Sequence, residues 1–132
     1  MLKRTLVLSL FLASLVASIH ADDKFITHVT LTTYNATKVQ CDNNPNETAN
    51  GTIICHKKLK QGKLKYCAIS RDLLWCIPMG SLIEIDGHGR YKVVDTMNAR
   101  FNHYIDILQH HTEKNFKKEK IKVTLVKKPK NK

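Results

Sequence analysis

Ser81-Leu82-Ile83-Glu84-Ile85-Asp86-Gly87-His88-Gly89-Arg90-Tyr91-Lys92-Val93-Val94-Asp95 is the stretch on which the fold turns. Residues 81–85 read as a strand, with Ile83 and Ile85 spaced about Glu84 as on one buried face. Asp86-Gly87-His88-Gly89 then supplies a turn with two glycines, and residues 91–94 resume an apolar, β-branched run. Two such runs joined by so short a turn form a hairpin. Working outward, strands are predicted over residues 105–108 and 66–69, over 28–34, and over 52–55. The last runs over 120–126, with Ile121, Val123 and Leu125 turned inward. Between them lie a polar turn at 43–51, a basic connector at 57–65 around Gly62, and a loop at 71–78 carrying Trp75. A short helix near the C-terminus is predicted over 112–118, capped by Thr112. Many short strands punctuated by Gly and Pro argue for an all-β barrel or sandwich.

The chain has 132 residues, which fits one domain. Lys3 and Arg4 precede an uncharged run over residues 6–16, and Ile19-His20-Ala21 places a small residue just before Asp22. That layout is a secretory signal over residues 1–21, and its apolar run is short for a bilayer span. A retained membrane anchor is the alternative. The domain is expected over 22–126, without a membrane span, and a basic disordered tail over 127–132. Losing Lys3 and Arg4 lowers the formal charge from +11 to +9. Nine lysines and one acid, Glu119, fall within residues 114–132. Such a chain is drawn to polyanions, or else simply carries a solvated face. The four arginines are not interleaved with aromatic residues, so no specific nucleic-acid partner is expected.

Cys41, Cys55, Cys67 and Cys76 make an even count behind an export signal, which points to two disulfides. Of three possible pairings, Cys41–Cys55 and Cys67–Cys76 close the shortest loops. Each would contribute roughly 3 kcal/mol by restricting the unfolded chain. The cysteines form no C-x₂-C pair and no histidine spacing completes a tetrahedral set, so no metal is expected.

The order of motifs from residue 66 to 108 carries the chemistry. Ala68-Ile69-Ser70-Arg71-Asp72 is followed by Ile77-Pro78-Met79-Gly80-Ser81 and Ile83-Glu84-Ile85-Asp86-Gly87-His88-Gly89. Tyr91-Lys92-Val93-Val94-Asp95-Thr96-Met97-Asn98-Ala99-Arg100 and Tyr104-Ile105-Asp106-Ile107-Leu108 complete it. This order resembles the "3D" domain, named for three aspartates, of the superfamily that includes rare lipoprotein A, membrane-bound lytic transglycosylase A, barwin and the expansins. Its aspartates correspond to Asp72, Asp95 and Asp106. Thr32-Thr33-Tyr34 resembles the family's opening strand, and residues 45–51 resemble its P-x-x-T-A-x-G loop. The resemblance covers roughly residues 27–126. It departs at Met97-Asn98, where the family often has Gly after Asp-Thr, and in the four cysteines.

The resemblance implies a six-stranded double-psi β-barrel with its acids in one groove and no cofactor. It implies an exported protein of the periplasm, outer envelope or extracellular space, with peptidoglycan or another cell-wall polysaccharide as partner. The activity implied is that of a lytic transglycosylase or O-glycosyl hydrolase; the alternative is a non-catalytic, expansin-like binding module. Asp106, eleven residues after Asp95, inherits the acid–base position of the related transglycosylases. Glycosidic cleavage needs a proton donor for the leaving oxygen and negative charge to support an oxocarbenium-like transition state. Between Ile105 and Ile107, Asp106 is expected to favour its protonated form, leaving charge stabilisation to Asp95. Thr32, Tyr34, Asp72, Asn98 and Arg100 are the expected substrate-groove residues. Asp72 has a second role open to it as a turn cap, and Asp95 as an acceptor for loop N–H groups.

Overall fold

A computed structural model describes residues 24–35 and 47–131. The expected leader, Cys41 and residues 43–46 of the 43–51 turn lie outside these residues. The chain runs β1 (Ile26–Asn35), α1 (His56–Lys60), β2 (Tyr66–Ile69), a 3-10 turn (Arg71–Leu73), β3 (Leu82–Ile85), β4 (Gly89–Thr96), β5 (Tyr104–Gln109) and β6 (Lys117–Lys127). The strands close into a six-stranded barrel in the order β1-β5-β2-β4-β3-β6. β1 with β5 and β2 with β4 are parallel; the other four neighbours are antiparallel. Closure pairs the strands on both sides and leaves no bare edge.

Period-two alternation explains what fills the barrel. Val29 and Leu31 of β1, Cys67 and Ile69 of β2, Ile83 and Ile85 of β3, Tyr91 and Val93 of β4, Ile105 and Ile107 of β5, and Val123 of β6 form one buried cluster. Leu73, Cys76 and Ile77, from the segment after β2, join it. Each fully buried isoleucine contributes roughly 1.5–3 kcal/mol relative to exposure. The opposite parity on β1, β2 and β5 feeds a second cluster outside the barrel wall. There Tyr34, Ile54, Leu59, Ala68, Met97 and Leu108 pack with Leu64, Tyr66, Phe101 and Tyr104. Leu59 is the buried residue of α1, and Gly62, at φ +68°, ends that helix with its N–H on the Leu59 carbonyl.

The hairpin that decided the fold forms as expected. Ile85 pairs with Gly89, and the turn between them has positive φ at Gly87. Residues 52–55 are not a strand but a single bridge, Glu47 to Ile53. The helix expected at 112–118 is absent, and its residues 117 and 118 open β6. Its cap fails because the Thr112 hydroxyl lies 2.8 Å from Nδ1 of His110, and the Glu113 N–H bonds the His110 carbonyl. Phe116 then donates its N–H to Oγ1 of Thr33, and Asn115 accepts from Gln109, which draws the chain along β1. At the other end, β6 takes in Lys127, and Pro129 lies against Gly80. The tail is thus held at least as far as Pro129.

Cys55, Cys67 and Cys76 are free thiols. The expected Cys67–Cys76 bridge is therefore not formed; Cys41, and with it the other expected pair, falls outside the described residues. Cys67 points into the barrel from β2, while Cys76 lies beyond the 3-10 turn and bonds the Leu73 carbonyl through its sulfur. A short sequence loop did not bring the two sulfurs together. Burial, with the nearby charge of Asp106, holds the Cys67 thiol far above the usual range, and burial also raises that of Cys76. Thiolate is the reactive form, so iodoacetamide should label exposed Cys55 in the native protein and spare Cys67 and Cys76 until denaturant is added. Equal native labelling of all three, read by peptide mass, would contradict this packing. Among the described residues no helix is long and apolar enough to cross a membrane, and no cluster of His, Cys, Asp and Glu is disposed to hold a metal ion.

Candidate functional site

Register carries the two aspartates onto one face. Thr32 of β1 is opposite Asp106 of β5. Asp106 is opposite Ala68 of β2, and Ala68 is opposite Asp95 of β4. Thr32, Asp106, Ala68 and Asp95 thus form a row across four adjacent strands, on the outer side of the wall where Ala68 packs. Strands lie about 4.8 Å apart, so the two aspartates are held roughly 10 Å apart at their backbones. Ala68 is the small residue between them. The row extends one strand further, because Lys117 of β6 is paired with Thr32.

A bulge makes this alignment possible. Cys67 pairs with Val93, but Ala68 pairs with Asp95, so Val94 is an extra residue in β4. Val93 points into the barrel. By simple alternation Asp95 would do the same, burying a carboxylate among isoleucines. The inserted Val94 reverses the parity, and Asp95 shares the outer face with Ala68.

The two carboxylates have different surroundings. Asp106 accepts a 2.7 Å hydrogen bond from Oγ1 of Thr32. Its pKa is pushed up to about 6, chiefly by burial and further by the charge of Asp95; the Thr32 bond opposes the rise. Asp95 instead accepts N–H bonds on Oδ1 from Thr96 at 2.9 Å and Ala49 at 3.0 Å. The second of these fastens the loop that resembles the P-x-x-T-A-x-G motif. That loop is drawn around Asn50, whose Oδ1 accepts from the Thr48 and Thr52 hydroxyls, and it turns at Gly51, φ +82°. Asp95 therefore does organise a loop, as its structural alternative requires, while standing in the row.

An aromatic border lies beside Asp106. Tyr104, two residues earlier on the same face, has its ring 5.1 Å from that of Phe101. A cation sits on each ring: Lys117 Nζ at 5.9 Å from the Tyr104 centroid, and the Arg100 guanidinium at 4.8 Å from that of Phe101. Asn98 shapes this border by accepting the Arg100 N–H on its side chain and the Phe101 N–H on its carbonyl. Tyr34 belongs to the same outer cluster.

Asp72 is not brought to the row. Its Oδ2 accepts from the N–H of His103 at 3.0 Å and lies 2.9 Å from that residue's Nδ1. His103 has φ 56°, a backbone state that β-carbon-bearing residues rarely adopt without support. Asp72 thus caps a turn, as one of its two expected roles had it, with His103 as the partner. Asp72→Ala should cost about 1–2 kcal/mol of stability, measured by urea unfolding, and leave any groove activity nearly unchanged.

Sequence reasoning missed Lys117, Phe101 and the Ala49 N–H as members of the site. Lys117 is one of nine lysines near the C-terminus, and only strand register sets it apart. No family model, no curated protein and no solved structure matches the chain.

Proposed function

We propose that this chain is an exported enzyme that cleaves cell-wall glycan, built as a 3D-type double-psi barrel related to rare lipoprotein A. The observation that carries the proposal is the row itself. A half-buried carboxyl held near neutrality, Asp106, shares a face with a second carboxylate fixed by backbone donors, Asp95. Two acids whose surroundings separate their proton affinities can divide acid and electrostatic roles.

In this scheme the protonated Asp106 gives its proton to the bridging oxygen as the glycosidic bond breaks, and the leaving sugar departs as an alcohol. The anomeric carbon develops positive charge, which Asp95 supports. The Asp106 carboxylate then takes the proton of the sugar's own 6-hydroxyl, whose oxygen bonds the anomeric carbon to give a 1,6-anhydro end. Water attacking in place of that hydroxyl gives the hydrolase outcome. Thr32 fixes the Asp106 carboxyl, and the small Ala68 leaves space between the acids. Tyr104 and Phe101 offer ring faces to sugars, with Lys117 and Arg100 as donors for acidic substituents. Peptidoglycan, with its stem carboxylates, meets these requirements.

The test is incubation of the protein with purified sacculi, followed by mass spectrometry of released fragments. Anhydro-sugar ends are the expected product; new reducing ends would indicate the hydrolase. Binding without any product would replace this proposal by the expansin-like module, and neither binding nor product would remove the glycan from it.

A further inference from the structure

A second surface lies about six residues back along β1 from Thr32, roughly 20 Å from the row at strand rise. There the start of β1, the end of β6 and the segment after the 3-10 turn converge. The Leu125 N–H donates to the Phe25 carbonyl, and Ile26 pairs with Thr124. Phe25 meets Trp75 edge-on at 6.4 Å. Pro129 rests on Gly80, and Lys128 is close enough to act on the Cys76 thiol beside Trp75.

The exposed large apolar residues gather here. Trp75 is 82% exposed, Ile26 48% and Val126 37%; Ile53 is the other such residue among those described. Lys24, Lys127, Lys128 and Lys130 are exposed around them, and against these four cations the ladder brings one exposed acid, Glu84, opposite Thr124. Nothing in the proposed glycan chemistry uses this end of the barrel.

We propose that this end docks on an anionic lipid surface. Indole is amphipathic and settles where apolar chains meet polar head groups. Lysines near such a surface each add attraction to anionic lipid, and their long stems let the charge stay in water. A soluble polyanion would satisfy the lysines but would leave Trp75, Ile26 and Val126 in water, so the apolar component selects the bilayer. Docking here would leave the aspartate row free.

Trp75 is the sole tryptophan of the chain, so its emission reports this surface alone. The full chain is titrated with vesicles of phosphatidylcholine, with and without phosphatidylglycerol. The expected result is a blue shift and co-sedimentation with the anionic vesicles only, both reversed by high salt. Trp75→Ala should weaken co-sedimentation roughly tenfold, with an unchanged circular dichroism spectrum. Lys128→Gln with Lys130→Gln should weaken it by about fivefold per charge, and this second variant keeps the fluorescent reporter. An unshifted spectrum with anionic vesicles, or an equal shift with phosphatidylcholine alone, would overturn the proposal. So would emission already blue-shifted in the free chain, since the surface would then be covered by another segment or a second copy. Binding to a soluble polyanion but not to vesicles would assign the lysines to such a polymer instead.

Discussion

Asp106→Asn should abolish glycan cleavage and at the same time stabilise the fold near pH 7. General acid–base catalysis is typically worth about 10²–10⁴-fold, and an amide can neither deliver nor recover a proton. The stability gain follows from the same environment that suits Asp106 to the task. Its pKa rises from 3.8 to about 6 because burial penalises the carboxylate. Between those two values the folded chain holds a proton that the unfolded chain has released. The contribution of Asp106 is therefore full below about pH 4, declines as pH rises, and is lost above about pH 6. A displacement of this size corresponds to roughly 3 kcal/mol. Asn carries no charge to desolvate and retains an oxygen for the 2.7 Å bond from Thr32. Urea unfolding should find the variant about 2–3 kcal/mol more stable than the parent at neutral pH, and nearly equal to it near pH 4. Wild-type cleavage in the variant would remove Asp106 as the acid. A variant less stable than the parent at neutral pH would show that the carboxylate serves the fold.

How far the sequence could be read follows from which contacts alternation and turn chemistry encode. The hairpin at Gly87 and the strand at Tyr66–Ile69 rest on local turn chemistry and alternation, and both formed where they were expected. The inward set Ile121, Val123 and Leu125 followed from the same alternation. The failures turn on individual hydrogen bonds, some local and some distant, that alternation does not encode. Thr112 fits a helix cap by residue type, but its hydroxyl lies against His110 and the following residues bond to β1, which residue type does not reveal. The Cys67–Cys76 bridge was inferred from loop length, whereas strand direction sends Cys67 into the barrel and hydrogen bonding holds Cys76 to Leu73. In the site, eleven residues of spacing linked Asp95 to Asp106 only through a family resemblance. Their physical relation depends on Ala68 standing between them in register and on Val94 being an extra residue, which nothing in a single sequence marks as a bulge.

Deletion of Val94 should shorten β4 without taking Asp95 out of the row. Val94 is fully buried, so Val94→Ala should cost about 2 kcal/mol, the usual scale for removing buried methyl groups. That variant keeps the bulge and the outward direction of Asp95. Deletion makes Asp95 follow Val93 directly. Strict alternation then turns Val93 inward and Asp95 outward beside Ala68, which is the register the two strands already hold. Oδ1 of Asp95 keeps its donors from Ala49 and Thr96. What is lost is the buried side chain and the bond from the Asn50 N–H to the Val94 carbonyl. The deletion is expected to fold, about 2–4 kcal/mol less stable than the parent in urea, and to retain any glycan cleavage. A deletion variant that does not fold would show that the bend a bulge puts into β4 is needed to close the barrel. One that folds but loses cleavage would show that the extra residue aims Asp95 at the groove by more than parity.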